Sequence, residues 1–209
     1  AARLLLSIGR SFGVQDALST VDLAVQHSVR NGGVVVGVEL SGNPKVGNFE
    51  TFLPALRRAR NAGLPVAVHT GEVHNPTEVS AILKFRPNRL GHALIMDSAH
   101  LSVLEKAPIP IEVCPTGNMI TLEIDSLEEH PVLRRCLQRG YPISLNTDDS
   151  VLFGTTLSKE YYRVARAFRL SRKEVAALAF KAWDGAFDPV VLRAHHQQNN
   201  SLGGLTCAL

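Results

Sequence analysis

An α/β fold, with about six of the eight βα units of a (β/α)8 TIM-type barrel, is the class this sequence predicts. Three observations lead to it. Short apolar runs alternate regularly with segments of helical period, as βα units of a parallel sheet do. No glycine-rich fingerprint follows an early strand, as a doubly wound nucleotide-binding sheet requires; Ser41-Gly42-Asn43-Pro44 reads only as a turn. Polar, chemically able residues also gather at the ends of the apolar runs, where βα barrels carry their catalytic groups.

Taken in order, residues 3–7 read as a strand. Leu18, Val21, Val25 and Val29 then mark one helix face, which ends near Asn31-Gly32-Gly33. Residues 34–40 form the next strand, and Phe49, Phe52, Leu53 and Leu56 recur at helical spacing until Gly63. A third strand covers 66–69. Asn75-Pro76 then supplies an N-cap and a proline at the first helical position, with Val79, Ile82 and Leu83 facing inward and Pro87 beyond the end. Further strands are expected at 89–92, 110–114 and 143–146, with helices at 98–106 and 131–139. Two consecutive helices follow. One starts at Ser158 with Tyr161, Val164, Ala165 and Phe168 inward; the other starts at Ser171, where Glu174 completes a capping box. Residues 1–196 read as one partial barrel without an internal linker, and the aperiodic stretch at 197–209 as a disordered tail.

The chain has 209 residues, of which 45% are hydrophobic and 20% charged, with a net charge of +3. That suits a globular domain with a sizeable core, or most of one. The slight positive balance is scattered, and pairs such as Arg57-Arg58 and Arg134-Arg135 lie on helical patterns as solvated faces, so no nucleic-acid partner is expected. No apolar run reaches the roughly 18 residues of a membrane span. Cys114, Cys136 and Cys207 show no paired spacing, which points to free thiols in a reducing, cytoplasmic setting.

The strand ends carry the chemistry. Glu39-Leu40-Ser41-Gly42, His69-Thr70-Gly71-Glu72, Gly91-His92, Cys114-Pro115-Thr116-Gly117-Asn118 and Asn146-Thr147-Asp148-Asp149 close successive runs. Singly, each has a plain structural explanation: a satisfied histidine, an N-capping aspartate, a solvated glutamate. Together they put two histidines, a glutamate and two aspartates on one rim, a set suited to hydrolysis at a metal. Catalytic zinc takes His and carboxylate ligands and keeps a position open for water. His69 and Asp148 are candidate ligands. Glu72, its carboxyl kept partly protonated, is a candidate general acid. His92 would handle the proton of the attacking water, and Asp149 would face the substrate.

The motifs HTGE (69–72), RLGHA (89–93), CPTGN (114–118) and SLNTDD (144–149), in this order and spacing, resemble the adenosine deaminase family. Those enzymes are zinc-dependent (β/α)8 barrels that hydrolyse the 6-amino group of adenine nucleosides. Residues 37–59 and the TTLSKEY at 155–161 resemble its adenosine deaminase-like branch, associated with conversion of N6-methyl-AMP to IMP and methylamine. The resemblance implies one Zn²⁺ held by His69 and Asp148, with Glu72 donating a proton to purine N1. It further implies that His92 orients and deprotonates the water, that Asp149 hydrogen-bonds purine N7, and that the Gly42 N–H meets purine N3. The implied partner is a small-molecule purine nucleotide or nucleoside, bound by a monomer.

Some positions depart from the family. Its other zinc ligands form a His-x-His pair on the first barrel strand, and none of the eight histidines here lies in such a pair; His195-His196 are adjacent. Residues 3–7 resemble the third barrel strand, so the first two are expected upstream of Ala1, and this chain alone is expected neither to close the barrel nor to hold zinc tightly. Gly9 stands where many members of the branch have an aspartate. Adenosine is the alternative substrate. The rival readings are an inactive fragment acting as a binding or regulatory chain, and a phosphotriesterase-like or guanine-deaminating barrel hydrolase.

Overall fold

A computed structural model of the chain describes residues 2–188. The tail expected at 197–209 and the His195-His196 pair lie outside them. Two compact units, Ala1–Ile109 and Pro110–Leu209, are described each by itself. In both, strands alternate with helices and pair in parallel, the α/β class expected.

The first unit runs β1 (Leu4–Gly9), α1 (Val14–Gln26), β2 (Val35–Ser41), α2 (Phe49–Asn61), β3 (Val66–Thr70), α3 (Pro76–Phe85), β4 (Arg89–His92) and α4 (Ser98–Lys106). Its strands lie side by side in sequence order, each parallel to the next, as right-handed βαβ connections produce. Val38, Leu40, Val66, Val68 and Leu90 are fully buried in this sheet. The near-continuous apolar runs follow from that burial, since parallel strands are covered on both faces. The inner face of α1 is smaller than the sequence suggests. Ala17, Val21 and Ala24 are buried, while Leu18 and Val25 are only half-buried, because alanines let the helix approach β1 and α2 closely. On α2 the expected Phe49, Phe52 and Leu56 are buried. Arg57 and Arg58 are exposed, as a solvated face requires.

The Asn75 side chain accepts from the Glu78 N–H at 3.2 Å and Pro76 opens the helix, as read from the sequence. Asn75→Ala is expected to cost about 1 kcal/mol through the unpaired N–H, read as a lower urea midpoint at unchanged slope.

In the second unit β5 (Ile111–Val113) and β6 (Ile143–Leu145) pair in parallel. Both are shorter than expected because the chain turns early. Cys114 is the N-cap of a helix, α5 (Pro115–Leu122), whose first residue is a proline. The sequence reading took these residues as strand end and loop: Thr-Gly-Asn favours turns, and tertiary contacts override that preference. After α6 (Leu133–Arg139) and β6 come α7 (Leu157–Ala167), which starts one residue ahead of the expected Ser158 and is capped by Thr156, and α8 (Arg172–Lys181) with the Ser171–Glu174 capping box. A feature absent from the sequence reading is Glu160, fully buried on α7. Its carboxylate accepts from the Thr116 N–H at 3.0 Å, from Thr116 Oγ1 and from Thr155 Oγ1. Those bonds make burial of the charge tolerable and tie the first turn of α5 to the segment leading into α7.

Neither Cys114 nor Cys136 is in a disulfide. Burial pushes the Cys136 thiol up to about 12, so it is no nucleophile near neutral pH. Among the described residues no helix is long and apolar enough to cross a membrane.

Candidate active site

The register of β3 and β4 brings the expected histidines together. His69 pairs with Gly91, and Thr70 with His92. Both histidines therefore stand at the C-terminal end of adjacent parallel strands, where barrel chemistry is carried. Their rings meet edge to face, with centroids 4.6 Å apart. Gly91 makes this possible: a Cβ there would lie 2.5 Å from His69 Cδ2. At the end of β4, His92 (φ 59°) and Ala93 (φ 53°) both occupy the left-handed region. Two consecutive non-glycine residues in that region are costly, and such strain concentrates at functional sites.

Glu72 arrives by a tight turn. Gly71 has φ 65°, and a Cβ there would sit 3.1 Å from the Ile95 carbonyl and 3.2 Å from the Ile95 nitrogen. The left-handed conformation and the close approach together favour glycine there. The turn places the Glu72 carboxylate 3.7 Å from His69 Nδ1 and 3.8 Å from His92 Nε2. On the other side of the imidazole, Glu39 of β2 lies 3.4 Å from His69 Nε2. The sequence left the role of Glu39 open; the structure makes it a direct neighbour of His69.

The electrostatics follow from this packing. Burial alone would depress the His69 imidazole, but hydrogen bonding and charge from Glu39 and Glu72 outweigh it and raise His69 to about 10. Burial likewise works against ionisation of Glu39 and Glu72. Hydrogen bonding to His69 and the charges around them win, and both carboxyls are held below their ordinary value. This corrects the expectation of a partly protonated Glu72. Its two imidazoles and the more distant Arg10 hold it ionised, so it must gain a proton before it can give one.

The donor set suits a divalent cation. Ligand atoms of His69, Glu72 and His92 all lie within 4.8 Å of one another, and carboxylates on two sides of His69 favour positive charge there.

Gly42 sits in the turn after β2 with φ 98°, and the Arg10 nitrogen would be 3.3 Å from a Cβ there. Asp148 and Asp149 belong to the second unit and follow β6. Both are exposed, and Asp148 adopts a left-handed φ of 52°. A Cβ on Gly117 of α5 would come within 3.4 Å of the Asp148 carboxylate and 2.9 Å of the Phe153 ring, so glycine leaves room there for both.

Comparison with known proteins agrees with this picture. The family model described as adenosine deaminase matches residues 1–195. The N6-mAMP deaminase of Arabidopsis thaliana is 43% identical over 185 residues, covering 88% of this chain and 51% of that protein. A crystal structure of Arabidopsis ADAL complexed with IMP superposes with a TM-score of 0.87 at 40% identity, covering 95% of this chain and 58% of that one. A Burkholderia amidohydrolase with bound Zn matches with a TM-score of 0.71 at 22% identity over 97% of this chain and 59% of its own, a likeness of fold. The chain spans about half the length of the curated relatives it matches. With the family model matching residues 1–195 and the parallel α/β units, the paired histidines and the intervening glutamate in place, the chain belongs to the adenosine deaminase family.

Proposed function

We propose that this chain serves a zinc-dependent hydrolytic deaminase acting at purine C6, with N6-methyl-AMP as its substrate. The observation that carries the reading is the convergence of His69, Glu72 and His92, with ligand atoms within 4.8 Å of one another, at the ends of adjacent strands. The substrate is inferred from the relatives called N6-mAMP or N6-methyl-AMP deaminase and from the IMP held by the Arabidopsis structure.

The overall change is N6-methyl-AMP plus water to IMP plus methylamine. Oxygen adds at C6 and gives up both water hydrogens, one ending on N1 and the other on the departing amine, as the C6–N6 bond breaks and the C6 carbonyl forms. Bound zinc would supply a Lewis acid that lowers the pKa of a water from ~15.7 to ~7. His69 would hold the metal in this scheme, and Asp148 would be a second ligand, on the SLNTDD motif alone. His92 orients the water and accepts its proton. Glu72, ionised at rest, takes up a proton and passes it to N1, which relieves the negative charge that addition at C6 builds on the ring. The Gly42 N–H meets N3 and Asp149 meets N7, both on the resemblance.

The test uses the protein as its gene encodes it. Zinc content is measured, with methylamine release from N6-methyl-AMP and ammonia release from adenosine in parallel. Methylamine with IMP supports the reading; ammonia from adenosine alone makes this an adenosine deaminase. Zinc retained with neither amine released would leave the metal site and overturn the purine assignment.

A further inference from the structure

Arg10 and Glu78 form a buried pair, of which the chemistry above uses only the charge of Arg10, at a distance, on Glu72. Arg10 follows β1, and Glu78 lies in the first turn of α3. The guanidinium donates twice, Nη1 to Glu78 Oε1 at 2.9 Å and Nη2 to Oε2 at 3.2 Å. The side chains are only 2% and 11% exposed. Two-point pairing of this kind fixes orientation as well as distance. The same carboxylate accepts a third bond, from the Phe49 N–H at 2.8 Å, and Phe49 is the first residue of α2. One carboxylate thus collects the loop after β1, the start of α2 and the start of α3.

The Arg10 backbone closes the arrangement from the other side. Its N–H donates to the Ser41 carbonyl at 3.0 Å. A Cβ on Gly42 would lie 3.3 Å from the Arg10 nitrogen, and one on Gly47 only 2.9 Å from the Arg10 oxygen. Residues 42–48 are therefore pinned against Arg10 near both ends. Helix capping does not account for the pair, because Asn48 and Asn75 already cap α2 and α3. Arg10, Pro44, His69, Glu72, Asn75 and Glu78 border one small cavity, so the pinned loop and the proton-carrying turn share a wall.

We propose that Arg10 and Glu78 are positioning residues that clasp the 42–48 loop, holding the Gly42 backbone at a fixed place beside the Glu72 turn so that a purine can be gripped. The proposal rests on the deaminase reading for its functional part. Glu78→Gln keeps an acceptor for the Phe49 N–H but removes the charge that holds Arg10. Because His69, Glu72 and His92 stay in place, substrate binding suffers and chemistry does not.

The experiment compares wild type, Glu78→Gln and Arg10→Lys by hydrogen exchange and by steady-state kinetics on N6-methyl-AMP. Glu78→Gln is expected to speed exchange at residues 42–49 by about tenfold with the amides of β2 and β3 unmoved. It should also raise KM by about tenfold with kcat within about twofold of wild type and zinc content unchanged. Arg10→Lys, which keeps the charge but loses the fork, falls between, and carries the same measurements should Glu78→Gln fail to fold. Unmoved exchange at 42–49, or a fall in kcat at constant KM, overturns the clasp. Loosening of the loop in a protein whose wild type turns over neither purine overturns the deaminase reading and upholds the clasp.

Discussion

Glu72→Gln is expected to lower methylamine release by about 10²- to 10⁴-fold, the range of a lost general acid, while zinc content and KM stay near wild type. Glutamine keeps the length and shape of the side chain and can still accept a hydrogen bond. What it cannot do is take up and release a proton. Glu72 stands within 4 Å of both imidazoles; His92, which takes the water's proton in this scheme, is the one placed to pass a proton to it, and the Glu72 carboxyl is held below its ordinary value. Loss through kcat rather than KM would place Glu72 in the transition state and not in ground-state binding. The same carboxylate is also among the groups able to hold a cation. Loss of zinc together with turnover would therefore move Glu72 from proton carrier to metal ligand. A variant with normal kcat would remove it from the chemistry altogether.

Much of this site was legible in the sequence because strand ends are punctuated. Val66, Ala67 and Val68 are apolar for the sheet. The change to His69, Thr70, Gly71 and Glu72 marks the rim, and Asn75-Pro76 marks the next helix. What could not be read is how adjacent rims face one another. Glu39 closes an apolar run like any polar strand end, and only the packing of β2 against β3 shows its carboxylate 3.4 Å from His69. Glu78 looks like an ordinary acid in the first turn of a helix, favoured there by the dipole; its pairing with Arg10 spans 68 residues. Glu160 sits in an otherwise amphipathic helix as a charged residue that the pattern assigns to solvent, yet it is fully buried. Helix α5 was missed for a related reason. Its first turn, Pro115, Thr116, Gly117 and Asn118, is buried, which no local propensity reports. The protonation state of Glu72 was misjudged because burial and two facing imidazoles act in opposite directions, and spacing alone does not show which is stronger.

Gly91→Ala tests whether the exact placement of the His69 ring matters. Gly91 pairs with His69 across β3 and β4, and the ring lies over the glycine. A Cβ would stand 2.5 Å from Cδ2, 3.1 Å from Cγ and 3.2 Å from Cα of His69. Its φ is not in the left-handed region, so the backbone tolerates alanine and the only conflict is with the ring. Two of the three contacts involve atoms at the root of His69, so a terminal torsion cannot relieve them; the imidazole has to swing away from Glu39, Glu72 and His92 together. Overpacking of this sort costs about 1–3 kcal/mol of stability. A ring displacement near 1 Å costs about 10²-fold in kcat/KM, and on the proposed reading of His69 as a ligand zinc affinity is expected to fall with it. Gly13→Ala is the matched control: nothing lies within 4 Å of a Cβ there, and activity and zinc content should remain those of the wild type. A Gly91→Ala protein that folds, binds zinc and turns over normally would mean that the reaction does not depend on His69 at the position this register gives it. A protein that folds but loses metal and turnover together would place His69 on the metal without any substitution of His69 itself.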